Sequence, residues 1–213
     1  MRITFLGQSG YILKSGNSEI IIDPYLSDSV NHAAGRPRML PVPVKPCEIS
    51  CDAVICTHNH LDHLDPDTVS EMPDGQFFIT TNEGRDVLQS LGKTDVTVLA
   101  PGDSIKTGDF EITAVFAEHT VEAFGVIVRA EGKTLYFSGD TLFNEKLFKI
   151  ADYKPDITFI CINGRLGNMN VKEAIVTAEK IGAEINIPNH YDMFESNSEN
   201  PALFTENIKG GKT

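Results

Sequence analysis

Residues 53–65 read Ala53-Val54-Ile55-Cys56-Thr57-His58-Asn59-His60-Leu61-Asp62-His63-Leu64-Asp65, an apolar run passing directly into one rich in histidine and aspartate. Ala53 to Cys56 has the short, apolar, partly β-branched content of a buried strand. The chain has six histidines, and His58, His60 and His63 fall in a single window of six residues beside Asp62. Imidazole nitrogen and carboxylate oxygen suit zinc, manganese or iron, and a run at the end of a strand aims successive side chains into one cleft. In extended chain His58 and His60 point the same way, and a turn at Leu61 lets Asp62 and His63 face a neighbouring position, so two adjacent metal sites are implied. A solvated loop residue is the ordinary reading of one lone histidine; it does not account for three beside an aspartate.

Working outward, Arg2 to Leu6, Tyr11 to Lys14 and Glu19 to Ile22 are rich in β-formers and separated by Gly and Ser turns, as a meander of antiparallel strands would be. Asp23 to Ser50, with Gly35 and several prolines, reads as a long irregular segment of the kind that carries function. Downstream, Asp65-Pro66-Asp67 is a helix start, Gln76 to Thr80 a strand, and Asn82 to Gly92 a helix closed by glycine. Val96 to Leu99, Phe110 to Phe116, Phe124 to Arg129 and Thr134 to Phe137 read as strands of a second sheet. The last third alternates a helix from Asn144, strand Ile157 to Ile162, helix Val171 to Ile181, strand Ile185 to Ile187 and a short helix from Pro201. Two strand-rich halves, each ending in helix–strand alternation, predict an α/β fold over residues 1–213 as one domain: a four-layer αβ/βα sandwich of two mixed β-sheets flanked by helices.

The pattern His58-x-His60-x-Asp62-His63 resembles the HxHxDH signature of the metallo-β-lactamase superfamily. Three further positions follow in the order that family uses: His119 in Ala117-Glu118-His119-Thr120, Asp140 in Ser138-Gly139-Asp140-Thr141, and His190 in Pro188-Asn189-His190-Tyr191. The resemblance implies that His58, His60 and His119 hold one metal, that Asp62, His63 and His190 hold the other, and that Asp140 bridges them. Asp62, His63 and Asp140 are then the residues closest to the chemistry. It further implies two divalent ions, zinc or manganese with iron as the third option, and a shared water acidified to hydroxide. Two such ions against two carboxylates and one hydroxide leave about one net positive charge, which draws an anionic substrate or a developing oxyanion.

Four segments are similar to the L-ascorbate-6-phosphate lactonase-like (UlaG-like) branch: Ile21 to Ser27, Thr57 to Asp65, Asn163 to Met169 and Pro188 to Phe194. That branch opens lactones or small esters, and a sugar-phosphate lactone is one candidate substrate. Arg165 and Asn163, Tyr191 beside the last ligand, and His32, Arg36 and Arg38 in the long loop are candidate substrate contacts, since arginine recognises phosphate or carboxylate through its fork. Solvated loop charge is the alternative for Arg36 and Arg38. Asp23, just after a buried-looking strand, is placed to hydrogen-bond a ligand histidine, or else is an ordinary strand-end turn.

Lys and Arg number 18 against 30 Asp and Glu, a net charge of −12, which weighs against the counterion-releasing surface of a nucleic-acid binder and favours a small-molecule substrate. The same-fold alternative is a phosphodiesterase or RNA-processing nuclease; from other classes come a di-iron redox protein and a non-catalytic metal binder. The N-terminus lacks a secretory pattern and no long apolar run is present, so the expected location is cytoplasmic, without membrane partners; a homo-oligomer is compatible with the sequence. Cys47, Cys51, Cys56 and Cys161 form no CxxC pair and read as reduced thiols.

Overall fold

The strand Ser18–Ile22 carries Ile20, Ile21 and Ile22 in succession, and all three are buried. Successive strand residues face opposite sides, so such a run requires a sheet covered on both faces. The computed structural model, which describes residues 1–213, supplies both covers. Strands β1 (Arg2–Gly7), β2 (Gly10–Ser15) and β3 (Ser18–Ile22) form an antiparallel meander. Strands β4 (Ala53–Ile55), β5 (Phe78–Thr80) and β6 (Val96–Val98) extend it in parallel, in the order β1-β2-β3-β4-β5-β6. The second sheet runs β7 (Ser104–Thr107), β8 (Phe110–Phe116), β9 (Phe124–Ala130) and β10 (Lys133–Phe137) antiparallel, then β11 (Ile157–Cys161) and β12 (Ile185–Asn189) parallel.

Ile20, Ile22 and Ile55 of the first sheet meet Ile112, Val126, Leu135 and Phe137 of the second in the central core. Each such side chain contributes about 1.5–3 kcal/mol on burial. On the outer face of the first sheet, Ile21, Val54 and Phe78 pack against Val69 of one helix, Pro66–Glu71, and Leu88 of another, Asn82–Ser90. On the far side, Ile127, Tyr136 and Ile160 pack against Ala174, Ala178 and Ile181 of helix Val171–Ile181. That helix starts with a capping box between Asn170 and Glu173 and stops at left-handed Gly182. The order of layers is helix, sheet, sheet, helix, as the sequence predicts.

Several details differ from the sequence reading: Val96–Val98 closes the first sheet, paired in parallel with β5, and does not join the second. The 23–50 segment contains a short helix, Ser29–Ala34, and a 3-10 turn, Pro46–Glu48, both too short for periodicity to reveal. Ser104–Thr107 pairs as an edge strand although two of its four residues are exposed. The helix from Asn144 is 3-10 over Glu145–Tyr153. β12 continues through Pro188, which an edge strand tolerates because one side of its backbone needs no partner strand. No helix is long and apolar enough to cross a membrane.

Candidate metal centre

Strands β1, β3, β4, β8, β10 and β12 all run in the direction that brings their C-terminal ends to one edge of the sandwich, and the polar residues of interest lie just past those ends. Three of these exits require left-handed backbone at a residue with a side chain: Gln8 (φ 56°), Asp23 (φ 44°) and His190 (φ 64°). Such conformations cost on the order of 1–3 kcal/mol each and persist where the surroundings hold them. Here they turn the side chains inward instead of onward along the strand.

The seven residues expected at the centre converge. Nε2 of His58 and Nε2 of His119 each lie 3.1 Å from Nδ1 of His60. Ring nitrogens this close need a proton or a cation between them. Beside them, Nε2 of His190 lies 3.3 Å from Asp62 Oδ2 and 3.3 Å from Asp140 Oδ2, while Nε2 of His63 lies 3.8 Å from Asp62 Oδ2. Asp140 reaches both groups, with Oδ1 at 3.3 Å from His63 Nε2 and Oδ2 at 3.9 Å from His119 Nε2. Each of the sets His58/His60/His119, His58/His63/Asp140 and Asp62/His63/His190 brings three donor atoms within 4.8 Å of one another. These sets could each hold a metal ion.

Outside this cluster sits a layer that fixes ring orientation. Asp23 Oδ2 is 2.8 Å from Nδ1 of His63, and its two oxygens also accept from the Thr57 backbone N–H and hydroxyl. Thr57 Oγ1 lies 3.1 Å from Nδ1 of His58, and the Gly167 carbonyl 3.0 Å from Nδ1 of His119. With Nδ1 occupied, each ring turns Nε2 to the centre. Gly167 has φ +95° and a Cβ there would sit 2.9 Å from the His119 ring, so glycine is required on both counts. Gln8 completes the layer: it is fully buried, with Nε2 2.6 Å from Asp62 Oδ2 and 2.9 Å from His190 Nε2. The sequence reading passed over Gln8. Its only local signal is a polar residue at a Gly-flanked strand exit.

The electrostatics divide the centre. Burial, reinforced by the neighbouring His63 ring, pushes the His58 imidazole well below its ordinary range, and burial followed by His119 lowers His60. Burial acts in the same direction on His63 and His190, but surrounding carboxylates outweigh it. Asp140, Asp23 and Asp62 push His63 well up, and Asp140 with Asp62 raises His190 to about 9. Burial alone would raise Asp62 and Asp140, yet the His63 and His190 rings hold both carboxyls well below the usual range. The half containing Asp62, His63 and His190 is therefore arranged for positive charge.

A cleft of about 450 Å³ opens onto His60, Asp62, Asp140 and His190, with apolar walls from Val30, Leu61, Leu166 and Phe194. Arg36 is the one Lys or Arg side chain lining it. The other candidate substrate contacts lie elsewhere. Arg165 is exposed and donates through Nη1 to the Ser196 carbonyl. Buried Asn163 donates to Asn197 Oδ1, and Asn197 itself lines the cleft. Tyr191 stacks on Phe5 at 5.8 Å beside a separate apolar hollow. His32 faces Asp67 at 3.7 Å, and Arg38 is spent on the Ser27 and Leu40 carbonyls and the Tyr25 ring. The four cysteines are unpaired.

Comparison with known proteins gives a consistent result. The model of the beta-lactamase superfamily domain matches residues 18–191. The chain is 27% identical over 228 residues to a UPF0173 metal-dependent hydrolase of Oenococcus oeni, covering 99% of this chain and 94% of that protein. It is 28% identical to a UPF0173 metal-dependent hydrolase of Methanopyrus kandleri over 98% of this chain and 92% of the relative. Among solved structures, the metallo hydrolase Igni18 of Ignicoccus hospitalis superposes with a TM-score of 0.81 at 22% identity, covering 99% of this chain and 93% of that one.

Proposed function

The chain belongs to the beta-lactamase superfamily, and from that premise we propose that it is a metal-dependent hydrolase whose seven convergent side chains hold two divalent cations. One observation carries the reading. His63 Nε2 and Asp140 Oδ1 are buried 3.3 Å apart, and neither has a hydrogen-bond partner. An unpaired buried polar atom costs about 1–3 kcal/mol, which a cation between such atoms offsets. The nitrogen and oxygen donor set fits zinc, manganese or iron.

In this reading His58, His60 and His119 hold the first ion, Asp62, His63 and His190 the second, and Asp140 bridges. When bound, the pair supplies Lewis acidity that makes a water nucleophilic near neutral pH. The protein's part is geometric. Asp23, Thr57 and the Gly167 carbonyl fix three rings, and the central carboxylate of Asp140 ties the two groups together. The cleft sets the substrate: its apolar walls accept a hydrocarbon portion and Arg36 pairs with one negative group. A small anionic ester or lactone fits this description, including a sugar-phosphate lactone, and the four segments similar to the lactonase-like branch support it.

The test is elemental analysis of purified protein combined with hydrolysis of a panel of lactones, simple esters and phosphodiesters, with and without a negative group. About two metals per chain, with turnover of anionic lactones or esters, is the expected result. Protein that cannot be loaded with metal and stays inert on the panel overturns it.

A further inference from the structure

Gln8 is the one polar side chain in contact with the donor atoms that the metal-ligand reading leaves unused. It follows β1 with left-handed backbone, and its carbonyl accepts the His190 backbone N–H at 2.9 Å, tying the exit of the first sheet to the exit of the second. The side chain is fully buried, and Oε1 has no hydrogen-bond partner. What fixes the carboxamide is therefore its other end, with Nε2 at 2.6 Å from Asp62 Oδ2 and 2.9 Å from His190 Nε2. Those two atoms belong to one donor set, Asp62/His63/His190.

The outer partners of three other rings sharpen the point. His58, His63 and His119 each have their Nδ1 held by a group that is not a donor to either set: Thr57, Asp23 and the Gly167 carbonyl. His190 has no such partner; apart from the two carboxylates, its ring nitrogens meet Gln8 alone, at 2.9 and 3.4 Å. Asp62 Oδ2 likewise meets Gln8 and the two rings of its own set.

We propose that Gln8 is the positioning residue of the second metal position, where its carboxamide N–H orients the Asp62 carboxylate and fixes the angle of the His190 ring. The proposal rests on the dinuclear reading above. A donor on Asp62 Oδ2 leaves Oδ1 as the freer oxygen, and an amide nitrogen 2.9 Å from Nε2 and 3.4 Å from Nδ1 of the same ring lies off the in-plane lone pair of Nε2, so it holds the His190 ring without occupying the electron pair a cation would use.

The experiment is stepwise titration of metal-stripped protein with Co²⁺, followed by calorimetry and by the visible absorption of the bound ion, in wild type, Gln8→Met and Gln8→Ala. Methionine keeps the side-chain volume without the amide, so packing is retained. The expected result is a second binding step weakened about 10–100-fold in both variants, an altered absorption band for that step, and a first step within about twofold of wild type. A second step of unchanged affinity in Gln8→Met overturns the role of Gln8, as does equal weakening of both steps. A wild-type chain that takes up a single equivalent removes the dinuclear reading itself, and with it this role.

Discussion

The floor and the mouth of the cleft are built by different means. On the floor, His58, His63, Asp140 and His190 are buried at strand exits, and outer partners such as Asp23, Thr57 and the Gly167 carbonyl hold the rings. At the mouth, Val30 and Arg36 come from the 23–50 loop, Leu166 from the 163–169 loop and Phe194 from the turn after β12, and Leu166 is 58% exposed. A strand exit has its backbone tied into the sheet, so a reactive group there is held to within about 0.5 Å; a loop side chain at the rim is free to differ without disturbing the centre. In the proposed function the rigid part carries the chemistry and the adaptable part the choice of substrate.

That division can be broken most sharply at Asp140. Asp140→Ala removes the carboxylate that reaches both donor groups, and turnover and metal content should fall together, by more than the roughly 10–100-fold typical of losing an outer partner. Full activity with two bound metals would show that the floor is not organised around this residue. Asp23→Ala comes next. It frees Nδ1 of His63 and the Thr57 N–H, so metal affinity should drop about 10–100-fold with the donor atoms themselves all present, measured by competition with a chelator.

A pH series tests the charge of the floor. In metal-free protein His190 is raised from 6.5 to about 9, so its stabilising contribution, on the order of 3 kcal/mol, is present below pH 6.5 and lost as pH rises through 9. His58 and His60 are lowered, so their neutral forms favour folding above pH 6.5 and that contribution fades on acidification. The melting temperature of metal-free protein should therefore be highest near pH 6.5. Metal-loaded protein should gain from pH 6.5 to 9, because bound cations require deprotonated rings. Parallel curves with and without chelator would refute the assignment.

The smallest effects belong at the mouth. Arg36→Ala should raise KM for an anionic substrate about tenfold with kcat nearly unchanged and stability within about 0.5 kcal/mol. Arg165→Ala, whose guanidinium is turned to the Ser196 carbonyl, should shift KM less. Equal effects of the two would mean that the 163–169 loop reorients toward the substrate.

The residues at the floor were legible because their types are rare and their order along the chain is informative: five of six histidines take part, and histidine and aspartate have few other reasons to cluster. The buried strands were legible for a similar reason, since a run such as Ile20-Ile21-Ile22 has no place except between two covers. Gln8 was not legible. Glutamine is common on surfaces, and only the pairing of β1 with β2 and the contact of its exit with His190 bury it beside Asp62.

From its sequence alone this chain determined a two-sheet α/β sandwich and a donor set for metal, because hydrophobic alternation and donor chemistry are local properties written residue by residue. The tertiary structure alone decided that Asp23 meets His63, that Gln8 meets both Asp62 and His190, and that Arg36 rather than Arg165 faces the cleft. These pairs join segments separated by up to 182 positions, and which distant segments meet is set by how the strands order themselves in each sheet and how the sheets stack.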